Sequence, residues 1–362
     1  MRNQKVIISG GGTAGHIYPA LAVGKKLRQQ GLKITFVGTT RKLEQALMKH
    51  YDADFIPLKI EGLKGKGLLM IKSLLILPCS FVKSLLIIIQ IRPSLVIGMG
   101  GYSSGPIVLI SSLIGAPTLI MEQNIHPGLT NRILILFAQK AVVAFKKSLP
   151  AFKGKGVFLG NPVREEFYSL KPKKRSERLT VLIFGGSQGS HFLNKKITRS
   201  LPLLKSLKNK LEIFHQTGEK DHDWVRENYE QIGFENHVVS AFFFDMHKYF
   251  QKSDLIVCRA GATTIAELIA AQKPSILVPF SQSTENHQLL NAKELERIKG
   301  AQIILEKDFT PERFLSKIRY FIENKDQLNQ MEENLKKIKI ANPAEKITDL
   351  CMELINNNKR RA

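Results

Sequence analysis

The feature that most constrains this chain is its alternation. Short apolar runs, each the length of one strand, are separated by stretches long enough for an amphipathic helix. KVIIS (5–9), ITFV (34–37), FIPLKI (55–60), LVIG (95–98), TLIM (118–121) and AVVAF (141–145) read as buried strands, with helices such as 16–30 and 40–50 between them. Strands joined by helix-length crossovers make βαβ units and a parallel sheet. The alternation stops across 146–178, where KGKG, a GNP turn and KPKKRSER have the composition of a connection. It restarts with TVLIF (180–184), EIFHQ (212–216), HVVSA (237–241), LIVCR (255–259), SILVP (275–279) and QIIL (302–305). The expectation is an α/β protein with two parallel-sheet domains, 1–160 and 161–340, and a C-terminal helix at 341–362. A chain of 362 residues can bury two such cores without metal or disulfide.

Charge narrows the partners. The net charge is +23, and residues 1–165 hold 22 basic against 6 acidic side chains. A basic half-protein suits an anionic surface, a phosphorylated substrate or nucleic acid. Aromatic residues are 8% with a single Trp, too sparse for a base-stacking surface, so no nucleic-acid partner is expected. The three cysteines, Cys79, Cys258 and Cys351, have no metal-ligand spacing and suit a reducing cytosol. The apolar run in MRNQKVIISGGG is too short for a signal peptide.

The stretch LLMIKSLLILPCSFVKSLLIIIQI (68–91) is apolar but broken by Lys72, Pro78 and Lys83, so it does not read as a membrane span. It is either a buried crossover helix or one that lies on a membrane surface. In the second case Leu75, Ile76 and Phe81 would enter the interface while Lys64, Lys66, Lys72 and Lys83 meet anionic headgroups.

Glycine-rich turns follow several strands. SGGGTAGH (9–16) opens a helix, and Gly10, Gly12 and Gly15 satisfy GxGxxG. A helix N-terminus offers N–H groups and partial positive charge to an anion. The acid that a nicotinamide-binding fold needs after the second strand is missing, since VGTTRK (37–42) holds none before Glu44. GMGGYSSGP (98–106) and FGGSQGSH (184–191) repeat the device, and CRAGATTIAELIA (258–270) begins another helix after a strand. Turns that share the carboxyl ends of parallel strands point to a ligand crevice there. Glu267, one turn into the last helix, either compensates the helix dipole or accepts hydrogen bonds from a ribose diol. No GxxxxGK[ST] loop and no metal-ligating cluster is found. Asp52 and Asp54 form a DxD, which is a turn or, in some sugar transferases, a metal-diphosphate ligand.

GGGTAGHIYPALAV (10–23), GMGGYSSGP (98–106), MEQNIHPGLTNR (121–132), GNPVR (160–164), GGSQGS (185–190), CRAGATTIAE (258–267) and the HQLLNA run (287–292) together resemble the MurG family, in order along nearly the whole chain. These are membrane-associated N-acetylglucosaminyltransferases of peptidoglycan synthesis. The resemblance implies a GT-B architecture, two Rossmann-like domains facing a central cleft. It implies an inverting transfer of GlcNAc from UDP-GlcNAc to undecaprenyl-pyrophosphoryl-MurNAc-pentapeptide (lipid I), giving lipid II and UDP without a cofactor. The setting implied is peripheral, at the cytoplasmic face of the cell membrane. Rivals are another GT-B transferase with a lipid acceptor, such as a diacylglycerol galactosyltransferase, and a UDP-GlcNAc 2-epimerase.

By the same resemblance, Ala262, Thr263 and Thr264 give backbone contacts to UDP-GlcNAc, with Ile265 and Ala266 alongside and Glu267 on the ribose. The Phe243 backbone faces the uracil, Ser187 meets the diphosphate or sugar, and Gln288 binds GlcNAc hydroxyls. Thr13, Ala14, Gly15, Asn124 and Arg164 complete the donor site. Gly12, Gly100, Gly101, Tyr102 and Ser103 cradle the lipid I diphosphate. His16 is the first candidate for the general base, and alternatively caps its helix or binds phosphate; Glu122 is the second candidate. Ala14 stands where the family often has glycine, which requires a negative φ.

Overall fold

The computed structural model describes residues 4–60, 68–171, 173, 176–283, 286–338 and 342–359, with backbone alone for 68–77 and 359. The chain forms two units. One holds Met1–Arg164 with Ala341–Ala362, the other Glu165–Ile340.

Unit 1 runs β1 (Lys5–Ser9), α1 (Ala14–Gln29), β2 (Lys33–Gly38), α2 (Lys42–His50), β3 (Phe55–Pro57), α3 (Leu68–Ile91), β4 (Leu95–Gly98), α4 (Ser104–Leu113), β5 (Thr118–Glu122), α5 (Leu129–Leu134), β6 (Lys140–Val143) and β7 (Gly156–Phe158). The strands pair in parallel in the order β3-β2-β1-β4-β5-β6-β7. Unit 2 runs β8 (Leu179–Phe184), α6 (His191–Leu204), β9 (Leu211–Gln216), α7 (His222–Ile232), β10 (His237–Ser240), α8 (Met246–Lys252), β11 (Leu255–Cys258), α9 (Ala262–Ala270), β12 (Ser275–Leu277), α10 (His287–Arg297), β13 (Ala301–Ile303), α11 (Pro311–Glu323) and α12 (Lys325–Lys336). Its parallel order is β10-β9-β8-β11-β12-β13. The last helix, α13 (Pro343–Lys359), returns to unit 1, where Glu345 pairs with Lys26 of α1 at 3.2 Å.

Helices cover both sheet faces, so strand residues such as Ile7, Val96 and Ile120 in unit 1 and Val181, Ile183 and Val257 in unit 2 are buried without alternation. That is why strands read as unbroken apolar runs. β7 escapes this logic. It is a three-residue edge strand inside the stretch that reads as a connection, and it pairs Gly156 with Ala141. In each sheet the order reverses beside the first strand, between β1 and β4 and between β8 and β11. All four of these strands run into the glycine-rich or CRAGA turns, so the turns lie at the two topological switch points.

The described part of α3 has two faces. Ser80, Ser84, Ile87 and Ile88 face the core, and Ser80 donates to the Lys59 carbonyl at 2.8 Å. Val82, Leu85, Leu86 and Ile89 are exposed. Phe81 is half-buried, and the Lys83 ammonium donates to the Pro57 carbonyl at 2.8 Å. Lys64, Lys66 and the side chains of Lys72, Leu75 and Ile76 lie outside the described residues. No described helix is long and apolar enough to cross a membrane. Asp52 and Asp54 form a turn: Asp52 has φ +47°, and Asp54 accepts the Thr35 hydroxyl at 2.8 Å.

Candidate functional site

In unit 1 the β1 and β4 turns meet around His16. Gly12 takes the left-handed φ of +88°, Thr13 is the N-cap of α1, and Ala14 is its first helical residue, outside the positive-φ set. Gly15 and His16 complete the first turn. The His16 Nδ1 lies 3.2 Å from the Gly11 carbonyl and 3.5 Å from the Thr13 hydroxyl. A carbonyl only accepts, so Nδ1 carries the ring proton and Nε2 keeps its lone pair. That lone pair faces the β4 turn. Gly100 has φ +87°, and a Cβ there would stand 3.2 Å from Nε2; a Cβ on Gly101 would stand 2.8 Å from the Gly11 carbonyl. Only glycines allow so close an approach. Burial lowers the His16 pKa below its ordinary value, against the opposing pull of the Glu122 charge, the Gly11 carbonyl and Glu44. The ring is thus neutral, with its basic nitrogen at the switch point.

Three residues expected at the unit 1 site are buried. Glu122 ends β5 with its carboxylate 3% exposed and already filled: Oε1 accepts from Asn124 N and Nδ2, and Oε2 from Gly128 N and Asn131 Nδ2. These four bonds tie the 122–131 loop together and hold Asn124 in place. Arg164, expected in the donor site, packs against two tyrosines. Its guanidinium lies 3.7 Å over the Tyr18 ring and donates to the Tyr51 hydroxyl at 2.8 Å, which leaves it buried. Ser103 is fully buried, its carbonyl accepting the Ser9 hydroxyl; Tyr102 beside it is half-buried.

Glu44 is the residue that sequence reasoning passed over. Too far along the chain for the ribose role, it turns inward from α2, 2% exposed, and accepts from Gly12 N and Thr39 N at 3.0 Å each and from the Thr39 hydroxyl. The Gly12 N–H, expected at the acceptor diphosphate, is therefore engaged by the protein itself.

In unit 2 the β8 turn carries Ser187, half-buried, between Gly186 (φ +97°) and Gly189 (φ +74°), and Ser190 caps α6. Arg259, directly after β11, braces this turn. It donates to the Ser190 hydroxyl from Nε at 3.1 Å and Nη2 at 2.9 Å, to the Val278 carbonyl at 3.1 Å, and pairs with Glu306 at 2.6 Å. Its guanidinium carbon also lies 5.4 Å from the ring centres of both Phe192 and Phe280. For Glu306, burial works to raise the pKa, but hydrogen bonds from Ser281 and Arg259 bring it below the ordinary value. A lone cation directly after an apolar strand was the available signal for Arg259.

The next residue is clamped by the HQLLNA run. Gln288 Oε1 accepts from Ala260 N at 3.2 Å and Phe280 N at 3.0 Å, and Asn291 Nδ2 donates to the Ala260 carbonyl at 3.1 Å. Gln288 can therefore meet a sugar through its NH₂, as a donor. Gly261 is the N-cap of α9, which begins Ala262, Thr263, Thr264. Ile265 is a core residue at 2% exposure, Ala266 is half-buried, and Glu267 is buried one turn in. Burial first, and then the Glu267 charge, push the Cys258 thiol up, so that carboxylate lies close to the end of β11. The Phe243 N–H, expected at a base, is bonded to Gln216 Oε1 at 2.8 Å, which leaves the carbonyl as the backbone group for that role. Among the described residues no group of three or more His, Cys, Asp or Glu side chains could hold a metal ion.

Two parallel sheets with glycine turns at both switch points define a doubly wound protein of the kind that holds nucleotides. Residues 6–143 match the glycosyltransferase family 28 N-terminal domain and residues 180–347 its C-terminal domain. The chain belongs to glycosyltransferase family 28. It is 40% identical over 357 residues, 97% of this chain and 99% of the relative, to the UDP-N-acetylglucosamine–N-acetylmuramyl-(pentapeptide) pyrophosphoryl-undecaprenol N-acetylglucosamine transferase of Syntrophus aciditrophicus. The protein of the same name from Anaeromyxobacter sp. strain Fw109-5 is 38% identical, with 97% of this chain and 94% of that one covered. The crystal structure of Acinetobacter baumannii MurG superposes with a TM-score of 0.73 at 28% identity, covering 98% of this chain and 100% of that one. A UDP-N-acetylglucosamine 2-epimerase shares the fold at 11% identity and a TM-score of 0.65, over 95% and 92% of the two chains.

Proposed function

We propose that this chain transfers GlcNAc from UDP-GlcNAc to the C4 hydroxyl of MurNAc in lipid I, giving lipid II and UDP, in peptidoglycan synthesis and hence in cell shape and division. The observation that carries the reading is the near-complete match to relatives bearing that activity in their names, at 37–40% identity, where the epimerase shares only the fold. In the step itself the C4 oxygen attacks the anomeric carbon with inversion. Its proton passes to His16 Nε2, and the bond to UDP breaks with the electron pair leaving on the diphosphate. Unit 2 holds the donor: Glu267 takes the ribose hydroxyls, the Phe243 carbonyl the uracil, Ser187 and the β8 turn the diphosphate, and the Gln288 NH₂ the sugar. Thr13, Gly15 and Asn124 are assigned to the donor, and Gly100, Gly101 and Tyr102 of the β4 turn to the acceptor diphosphate. Helix N-termini stabilise the leaving diphosphate.

Incubation with labelled UDP-GlcNAc and lipid I in EDTA should yield labelled lipid II. UDP-ManNAc formed without any acceptor would instead establish the epimerase. In the same assay Glu267→Ala should weaken UDP binding by about 1.5–3 kcal/mol, the range for hydrogen bonds to a charged group. Unchanged UDP affinity would return Glu267 to a purely helical role.

The acceptor is a membrane lipid, and we place this enzyme on the cytoplasmic face of the membrane. Support comes from the adjoining helices α3, α4 and α5, whose outer side chains Val82, Leu86, Ile89, Leu113 and Leu129 are all more than half exposed. A patch of this kind marks an interaction surface. The paired change Leu86→Asp and Ile89→Asp should leave stability within about 0.5 kcal/mol, as exposed sites do. It should abolish co-sedimentation with anionic vesicles. Wild-type levels of co-sedimentation by this variant would remove the patch from the membrane reading.

A further inference from the structure

The geometry points to Gln216 as the residue that sets the span between the uracil-binding loop and the diphosphate turn. This rests on the reading that unit 2 holds UDP-GlcNAc. Gln216 ends β9, the strand between β8 and β10, and is in register with Phe184 on one side and Ser240 on the other. Both neighbours run on into ligand loops. From this middle position the 1%-exposed side chain reaches both. Nε2 donates to the Gly186 carbonyl at 3.0 Å, and Oε1 accepts from Phe243 N at 2.8 Å.

Neither end of the bridge is loose. Gly186 sits in the β8 turn, closed by Gly189 N donating to the Gly186 carbonyl at 3.1 Å. Thr217 N and Gly218 N donate to the Ser240 and Ala241 carbonyls at 3.0 Å, which ties the β9 and β10 exits together. The Phe243 ring stacks on Tyr249 of α8 with centroids 3.8 Å apart. One carboxamide thus joins the base loop to the phosphate turn, with its donor end on one and its acceptor end on the other. A nucleoside diphosphate needs both loops at a fixed separation; a nucleoside needs one. Gln216 touches neither base nor phosphate in this account and is a positioning residue.

The polarity of the amide makes the two halves separable. Gln216→Glu retains an acceptor for the Phe243 N–H but sets a carboxylate oxygen against the Gly186 carbonyl. Gln216→Met removes both bonds. Affinities for uridine, UMP and UDP, measured by titration on folded protein, should split. In Gln216→Glu, uridine binding should stay within about twofold while UDP binding falls by at least about tenfold, the scale of one well-placed hydrogen bond. In Gln216→Met both should fall. Equal UDP affinity across wild type and variants, or a parallel loss of uridine and UDP in Gln216→Glu, would overturn the inference. Failure of the wild type to bind UDP at all would overturn the underlying site assignment, and the inference with it. Hydrogen exchange on the wild type gives an answer that does not depend on variants folding. Uridine, which has no phosphate, should slow exchange in 185–190 as well as in 241–244. Protection confined to 241–244 would show that no bridge operates.

Discussion

His16→Ala is expected to lower kcat by about 10²–10⁴-fold with UDP affinity nearly unchanged, the size of effect for a lost general base. The expectation rests on the ring's surroundings. The Gly11 carbonyl fixes the proton on Nδ1, and the glycine turn of β4 leaves Nε2 facing an open backbone. Burial lowers the pKa, so the imidazole remains unprotonated at neutral pH and below its ordinary titration point. The acidic limb of kcat/KM should accordingly lie below about pH 6.5, the free imidazole value, and should vanish in the variant. Near-normal kcat would reassign the proton to another acceptor. A raised KM for lipid I with unchanged kcat would make His16 a phosphate ligand.

A second large effect concerns acid stability of unit 2. His215, the next-to-last residue of β9, is fully buried between the Tyr229 hydroxyl at 3.2 Å and Asn194 Oδ1 at 3.1 Å. Burial lowers its pKa to about 3, with Asp221 pulling the other way. In the unfolded chain the same ring protonates near 6.5. Between these values the unfolded state binds a proton that the folded state does not. Stability is therefore full above about pH 6.5, falls as pH drops, and has lost this contribution completely near pH 3. At about 1.4 kcal/mol per pH unit, the window from 6.5 to 5 alone removes on the order of 2 kcal/mol before most carboxylates titrate. The single tryptophan, Trp224 on α7, reports unit 2 directly. Its urea midpoint should shift downward across that window. A flat response would mean that the folded ring protonates as easily as the free one.

The strands and their parallel pairing were legible because a sheet covered on both faces leaves unbroken apolar runs, and the glycine turns marked where those runs end; the strand order was not. β7 was not legible, since three residues at an edge carry no run. The site was legible as a set of turns but not as a set of contacts. Which end of Gln288 meets the backbone, or that Glu122 faces four donors, follows from side-chain directions that spacing does not encode. Arg164 shows the same limit more sharply: a cation in a functional motif looks available in sequence, and only packing reveals Tyr18 and Tyr51 around it. Gln216 and Arg259 were hidden for another reason. Both are single polar residues at strand ends, with partners tens of residues away.

Glu44 has a wider consequence. The chain carries the same phosphate-seeking device twice, and a nucleotide free in solution would have two addresses to choose from. In unit 1 a carboxylate already occupies the nest, bonded to the Gly12 N–H. In unit 2 the corresponding turn is braced by a guanidinium whose own counter-charge, Glu306, is held by Ser281. The unit 1 turn thus has its Gly12 N–H taken by a carboxylate, whereas the carboxylate beside the unit 2 turn is paired with Arg259. The two similar folds therefore differ in the charge held at their first glycine turns, through one inward-facing side chain.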